Sequence, residues 1–296
     1  MHFTGAAGAA MSVAVLLLGL AVGSFLNVVI YRFPREGLSL ISPRRSFCPA
    51  CRTGIAWHDN IPVLGWLFLR GRCRSCGAPI SFRYPLVEMV CGALAISLYA
   101  VEGLTPRFFL YYYFSLSLTA IAFIDLELTV IPDLLVWPTY VLGFVCAAVA
   151  PTPQTSGWYL WETLLQAGWS PRLISLGGAA AGFVLGFAAL WLASKVYRLW
   201  RGRDGLGAGD PPLMGLIGTY LGWAAVFPVL LLSTLIALAA VFALVFAGPG
   251  LPVGKPGTSK AGAAFLPFGP FLSLAAVIWM FYGQSIVGWY VSLMGL

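Results

Sequence analysis

The chain has 296 residues, of which 60% are hydrophobic and only 9% are charged. A soluble domain usually carries about 25% charged residues, so this composition excludes an ordinary soluble protein. The formal net charge is +7, but the basic residues concentrate in short connections between apolar segments. That distribution is typical of membrane topology and argues against nucleic-acid binding.

Eight apolar segments are candidates for membrane-spanning helices, which need about 20 residues to cross a hydrocarbon core. They cover residues 10–30, 85–101, 108–124, 134–150, 173–196, 211–226, 227–247 and 268–293. The sixth and seventh run together and are divided only around Pro228, so a count of seven or nine stays open. We predict an all-α polytopic membrane protein with about eight transmembrane helices, in a lipid bilayer, whose first segment is a retained helix.

The positions of the basic residues predict the orientation of these helices. Nine of the 17 Lys and Arg residues lie within residues 32–83, four more within residues 195–203, and two follow the seventh segment. Cytoplasmic connections are enriched in Lys and Arg, so we expect these three connections to be cytoplasmic and both termini to lie outside. The chain then divides into a first helix at residues 1–31, a cytoplasmic loop between helices 1 and 2 at residues 32–84, and a membrane bundle at residues 85–296.

Three glycines recur at every fourth residue of the fifth segment: Gly178, Gly182 and Gly186. They share one face of a helix, and small residues on such a face let two backbones approach closely. The pattern predicts helix packing and no chemistry.

Four cysteines in the cytoplasmic loop form two CxxC pairs, Cys48 with Cys51 and Cys73 with Cys76. Two such pairs can surround one tetrahedral Zn²⁺ ion. Stable disulfides are disfavoured in the cytoplasm, and a bound metal would stabilise a loop too short to form its own core. We predict a structural zinc site, with iron, free thiols or a redox pair as the alternatives.

Two acidic residues, Asp125 and Asp210, are predicted at the cytoplasmic ends of different membrane helices. Ionisable residues in membrane segments are costly, so they suggest function. Two carboxylates at one depth can share a proton, as an aspartic protease requires. A proton relay is the alternative, while Asp133 could cap the fourth helix and Glu127 could be solvated.

Several motifs together resemble the bifunctional prepilin peptidases, which are GxGD aspartic proteases and N-methyltransferases. The resemblance covers nearly the whole chain, and the motifs stand in the family's order. They are Gly23–Asn27 with Arg32, the double CxxC loop with Asp59–Pro62, Arg83–Glu88, Ile124-Asp125 with Ile131–Asp133, Gly207–Asp210 and Pro267–Pro270. Glu88, at the exit of the loop, carries no assigned role.

The resemblance implies a reaction, cofactors and partners. The family cleaves the leader from type IV prepilins and type II secretion pseudopilins at the cytoplasmic face of the bacterial inner membrane. It then methylates the new N-terminus with S-adenosylmethionine. Asp125 and Asp210 match the catalytic aspartates, the four cysteines match the metal ligands, and Gly71 matches a glycine tied to methylation, here assigned to cofactor binding.

Two other functions stay open at this point. One is another GxGD intramembrane protease, against which the four-cysteine loop argues. The other is a proton-coupled membrane transporter with a zinc-stabilised docking loop, against which the absence of a sequence repeat argues. The chain also departs from the family after the GxGD motif, where Pro211 and Pro212 stand and the second position usually holds Lys. Prolines are compatible with a first helical turn.

Overall fold

A computed structural model describes residues 6–35, 46–202, 205–246 and 267–293. Helices account for nearly all the regular structure of these residues, and two isolated β-bridges stand in place of strands. The chain divides into two compact units, residues 1–120 and residues 121–296. The predicted all-α architecture is confirmed.

The first unit contains a long helix, a loop with two short helical turns, a second long helix and most of a third. Its elements are α1 (Ala6–Arg32), a 3₁₀ turn (Trp57–Asn60), α2 (Leu64–Phe68), α3 (Arg83–Glu102) and most of α4 (Pro106–Leu128). α1 and α3 approach closely because a Cβ on Gly23 would lie 2.7 Å from the Cα of Glu88, and one on Gly19 would lie 2.7 Å from the Cβ of Ala95.

The second unit begins at the end of α4 and is a bundle of helices. Its elements are α5 (Asp133–Val149), α6 (Pro153–Ser156), α7 (Trp158–Gln166), α8 (Pro171–Arg201), α9 (Asp210–Leu221), α10 (Trp223–Phe246) and α11 (Gly269–Leu293).

Six helices in the described residues are long and apolar enough to cross a membrane, namely α1, α3, α4, α8, α10 and α11. The other two predicted segments correspond to α5, of 17 residues, and α9, of 12 residues. Twelve helical residues extend about 18 Å, less than a hydrocarbon core of about 30 Å. The count of eight crossings therefore stays a prediction.

The predicted division between the sixth and seventh segments, at residue 226, is wrong. α9 ends at Leu221, Gly222 adopts a φ of +80°, and α10 runs through Pro228. Glycine reaches positive φ without the strain of a side chain, and a Cβ here would lie 2.0 Å from the carbonyl oxygen of Thr155. The glycine is therefore the break, while a proline within an apolar helix is tolerated.

The glycine face of α8 packs directly on α9, as its spacing predicted. A Cβ on Gly182 would lie 2.1 Å from the carbonyl oxygen of Gly218, and one on Gly186 would lie 2.5 Å from that of Met214. The two helices run antiparallel with matched steps of four residues, which places Asp210 near the level of Leu190. α8 continues for another eleven residues to Arg201, or about 16 Å at 1.5 Å per residue. Asp210 thus lies well below the end of α8.

This packing predicts a specific cost for one added methyl group. Gly182→Ala should lower the free energy of unfolding by about 1–3 kcal/mol, because the methyl group would meet backbone that no rotamer change can move. Unfolding by sodium dodecyl sulfate in mixed micelles measures the effect. Gly177→Ala is the matched control, since a Cβ on Gly177 meets nothing within 4 Å. Equal midpoints for the two variants would contradict the packing.

Candidate active site and metal centre

Asp125 lies in the last turn of α4 and is almost completely buried, at 5% exposure. Its Oδ2 atom accepts a hydrogen bond from the backbone N–H of Gly269, the first residue of α11, at 3.0 Å. A Cβ on Gly269 would lie 2.6 Å from that same oxygen. The hydrogen bond therefore requires glycine at position 269.

Asp210 is the first residue of α9 and is 3% exposed. Its Oδ2 atom accepts a hydrogen bond from the backbone N–H of Gly207 at 2.9 Å. Pro211 and Pro212 occupy the first turn of α9, as expected for residues whose missing N–H groups have no helical partner there. The hydroxyl of Tyr140 donates to the carbonyl oxygen of Pro212 and ties the start of α9 to α5.

The Asp125 carboxylate lies within electrostatic range of Asp210, in the same compact unit of the chain. Two carboxylates in such a site hold one proton more easily than two negative charges. In each of them, the described residues donate a hydrogen bond to Oδ2 and none to Oδ1. Each carboxylate is therefore anchored by one oxygen.

The other two acids of this region differ from the buried pair in their exposure. Glu127 and Asp133 are both exposed. Asp133 is the first residue of α5, but the N-cap position belongs to Pro132, which makes no side-chain capping bond. Asp133 therefore acts on α5 at most as a negative charge beside the positive end of the helix dipole.

The four loop cysteines converge, with all four Sγ atoms within 4.8 Å of one another. The Sγ atoms of Cys48 and Cys76 are 3.9 Å apart, close to the edge of about 3.8 Å that tetrahedral Zn–S bonds of about 2.3 Å require. The donor set and its spacing therefore fit a tetrahedral metal ion with no open position.

The two CxxC segments have the same backbone fold. In the first, the N–H of Cys48 donates to the carbonyl oxygen of Thr53, and the N–H of Arg52 donates to the carbonyl oxygen of Cys48. In the second, the N–H of Cys73 donates to the carbonyl oxygen of Ala78, and the N–H of Gly77 donates to the carbonyl oxygen of Cys73. A β-bridge closes each turn, Phe47 with Gly54 and Arg72 with Pro79. Both pairs of sulfur atoms are thus presented by rigid turns.

The electrostatics of the thiols also suit a cation. Hydrogen bonds from the side chain and backbone of Thr53 lower the pKa of Cys51 to about 6. Backbone amides of Cys76 and Ser75 lower the pKa of Cys73. The Ala78 amide acts in the same direction on Cys76, but its thiol neighbours raise the pKa of Cys76 to about 11. Four adjacent thiols resist losing every proton unless a cation compensates the charge.

Gly71 contacts Trp66 of α2. It has a φ of +66°, and a Cβ on it would lie 3.0 Å from the indole ring of Trp66 in α2. Its backbone N–H donates to the carbonyl oxygen of Trp66, and the Trp66 indole donates to the carbonyl oxygen of Ile80. The contacts of Gly71 fix the position of α2.

Comparison with known proteins decides the family. The sequence model of the bacterial peptidase A24 N-terminal domain matches residues 17–101, and that of the type IV leader peptidase family matches residues 112–244. A protein from Aeromonas hydrophila named prepilin leader peptidase/N-methyltransferase is 35% identical over 303 residues, which cover 94% of this chain and 93% of that protein. The chain belongs to the type IV leader peptidase family.

Other relatives agree with this leader peptidase assignment. A protein of the same name from Klebsiella pneumoniae is 40% identical over 74% of this chain and 88% of its own length. One from Dichelobacter nodosus is 33% identical over 91% of both chains. No solved structure matches significantly. Family membership favours the peptidase over the transporter interpretation.

Sequence reasoning found both aspartates and missed the residue that holds one of them. Gly269 lay within a motif that supported the resemblance, but no role was predicted for it. A backbone N–H leaves no chemical signature in a sequence. The available signal was a glycine placed between Phe268 and Pro270 at the start of an apolar helix.

Gly269 gives a prediction for the leader peptidase. Gly269→Ala should lower the peptidase activity about a hundredfold, because its methyl group would displace the Asp125 carboxylate and misplacement of about 1 Å can cost that much. Steady-state cleavage kinetics measure the loss. Gly288→Ala, on the same helix, is the control, since a Cβ there meets nothing within 4 Å. Equal activity of the two variants would contradict the role of Gly269.

Proposed function

We propose that this chain cleaves the leader peptide from type IV prepilins or type II secretion pseudopilins, using Asp125 and Asp210 as the catalytic pair. The observation that carries this proposal is that two buried carboxylates from distant parts of the chain interact, each anchored by one backbone amide. The relatives are named prepilin leader peptidases, which supplies the substrate class.

The pair can perform peptide hydrolysis if it holds a single proton. The ionised carboxylate removes a proton from a water molecule, whose oxygen attacks the scissile carbonyl carbon. The protonated carboxyl group donates its proton to the carbonyl oxygen. Collapse of the tetrahedral intermediate then breaks the C–N bond. The first carboxyl group protonates the leaving amine, and the second carboxylate takes back the proton of one hydroxyl group as the C=O bond re-forms. The Oδ1 atoms, which accept no hydrogen bond from the described residues, suit these transfers.

We place this chemistry at the cytoplasmic face of the bacterial inner membrane, with both termini outside. The end of α8 carries the basic residues Lys195, Arg198 and Arg201. They support a cytoplasmic location of this end, since cytoplasmic helix ends are enriched in such residues. Asp210 lies about 16 Å below that end along α8. The scissile bond must therefore pass the basic end of α8 to reach the carboxylates.

Replacing either aspartate tests the mechanism. Asp125→Asn and Asp210→Asn should each lower leader cleavage by a factor of about 10⁴ or more, because the two groups act as a unit. Asp133→Asn is the matched control and should retain near-normal cleavage, since Asp133 is exposed. Cleavage of a purified prepilin, followed by mass spectrometry, measures all three.

Two results would contradict the assignment. Normal cleavage by Asp210→Asn would remove the two-aspartate mechanism. Normal cleavage by Asp125→Asn, together with loss in Asp133→Asn, would mean that Asp133 is the partner of Asp210.

We propose a second activity, N-methylation of the new N-terminus. The relatives are named N-methyltransferases, and S-adenosylmethionine would supply the methyl group. The A24 N-terminal model matches residues 17–101, which lie within the first unit. In this proposal Gly71 contributes through the position of α2, rather than through direct contact with the cofactor. The four cysteines hold a structural Zn²⁺.

Zinc content tests the metal site. The purified chain should contain about one zinc per molecule, since four thiolates complete a single tetrahedral site. Cys73→Ser should lose most of it. Cys91→Ser should keep it, because Cys91 lies in α3 outside the cluster. Elemental analysis after gentle detergent extraction measures the content, and zinc-free wild-type protein would contradict the proposal.

A further inference from the structure

The first unit contains a cavity of about 340 Å³ beside the last turns of α1. Small-molecule sites occupy about 300–1,000 Å³, so the volume fits a ligand of moderate size. Its walls include Ala21, Ser24, Phe25, Arg32, Asn60 and Pro62. They combine an aromatic ring, a guanidinium and several hydrogen-bonding groups.

A buried carboxylate stands directly behind this wall. Glu88 of α3 is 7% exposed, and its Oε2 accepts a hydrogen bond of 2.7 Å from the backbone N–H of Val63. The hydroxyl of Ser24 also bonds to Glu88. Ser24 lines the cavity, and Val63 follows Pro62, which also lines it. An acid within a membrane helix suggests function, and neither peptidase carboxylate lies in this unit.

The backbone that contacts Glu88 is strained. Val63 has a φ of +61° and a ψ of −51°, which is a true outlier for a β-branched residue. Such conformations persist where the surrounding structure holds them, and they cluster at binding and catalytic sites. Here the residue in this unusual conformation is the one whose N–H donates to the Glu88 carboxylate.

A second buried polar group lies close along α1. Asn27, three residues after Ser24, is 3% exposed. Its amide nitrogen donates to the carbonyl oxygen of Tyr84 at 3.0 Å, but its Oδ1 has no hydrogen-bond partner among the described residues. Unsatisfied buried acceptors are costly and call for an explanation, and a ligand with N–H or O–H donors would provide one.

The metal cluster and Gly71 both connect to the wall of this cavity. Arg74, between the second pair of cysteines, makes two hydrogen bonds of 2.8 and 2.6 Å to Asp59. Asp59 precedes the wall residue Asn60. Gly71 packs on Trp66 of α2, the helix that begins immediately after Val63. The loop therefore positions one wall of the cavity, and this explains how Gly71 could matter without touching a ligand.

We propose that this cavity is the binding site for S-adenosylmethionine, with Glu88 as the buried counter-charge for its sulfonium group. A carboxylate in a low-dielectric region attracts a cation more strongly than one in water, and the Arg32 guanidinium matches the ligand's own carboxylate. The proposal rests on the proposed methyl-transfer activity and assigns its location.

Direct binding tests this proposal on the full chain in detergent, with radiolabelled S-adenosylmethionine as the probe. Glu88→Gln should weaken binding about ten- to a hundredfold, because it removes one charged partner. Ala21→Trp should weaken it by filling the cavity. Leu17→Trp, one turn earlier on α1, also exposed and outside the cavity lining, is the matched control and should bind like the wild type.

A second ligand separates a charge effect from a structural one. S-adenosylhomocysteine lacks the positive sulfonium, so Glu88→Gln should bind it within about twofold of the wild type. Equal losses for both ligands would overturn the role of Glu88 as counter-charge. The zinc content of each variant reports whether the loop has folded.

Three further binding results would each overturn a part of the proposal. Normal binding of S-adenosylmethionine by both Glu88→Gln and Ala21→Trp would overturn the site but leave the methyl-transfer proposal standing. An equal loss in Leu17→Trp would show that the effect does not come from the cavity. Failure of the wild-type chain to bind S-adenosylmethionine at all would overturn both the site and the proposed methylation, while leader cleavage would remain a separate measurement.

Discussion

The direct backbone contact between α8 and α9 determines where the Asp210 carboxylate lies. With glycine at positions 182 and 218, the two helices approach until an added Cβ would lie 2.1 Å from a carbonyl oxygen. α9 therefore starts about 16 Å below the end of α8. A buried carboxylate is costly unless it is hydrogen-bonded, and Gly207 supplies the bond to Asp210. Gly269 does the same for Asp125.

Side-chain chemistry was predictable from the sequence where it forms local patterns. Each CxxC pair is brought together by a turn of a few residues, so the convergence of the four sulfur atoms follows from two short motifs. The α8 glycines follow the helical repeat and could be placed on one face before their partner was known. Asp125 and Asp210 stood out because charged residues are rare in apolar segments.

Features that depend on backbone groups from distant residues could not be predicted in the same way. The N–H that binds Asp125 belongs to Gly269, 144 residues later in the chain. The break between α9 and α10 was placed near Pro228, but it lies at Gly222, where the carbonyl of Thr155 leaves no room for a side chain. The positive φ of Val63 likewise depends on Glu88, a contact between the loop and α3.

The two prolines after Asp210 show how the site restricts its own hydrogen bonding. The first turn of a helix normally presents free N–H groups that stabilise an anion. Pro211 and Pro212 remove two of these donors, so Gly207 is the donor to Asp210 within the described residues. With fewer fixed donors the carboxylate is held less firmly in its ionised form, because hydrogen bonds to the charged form stabilise it. In the proposed mechanism one proton passes between the two carboxyl groups, which requires that neither of them is permanently ionised. The prolines thus preserve the helix start and are compatible with the proton exchange that the proposed mechanism asks of Asp210.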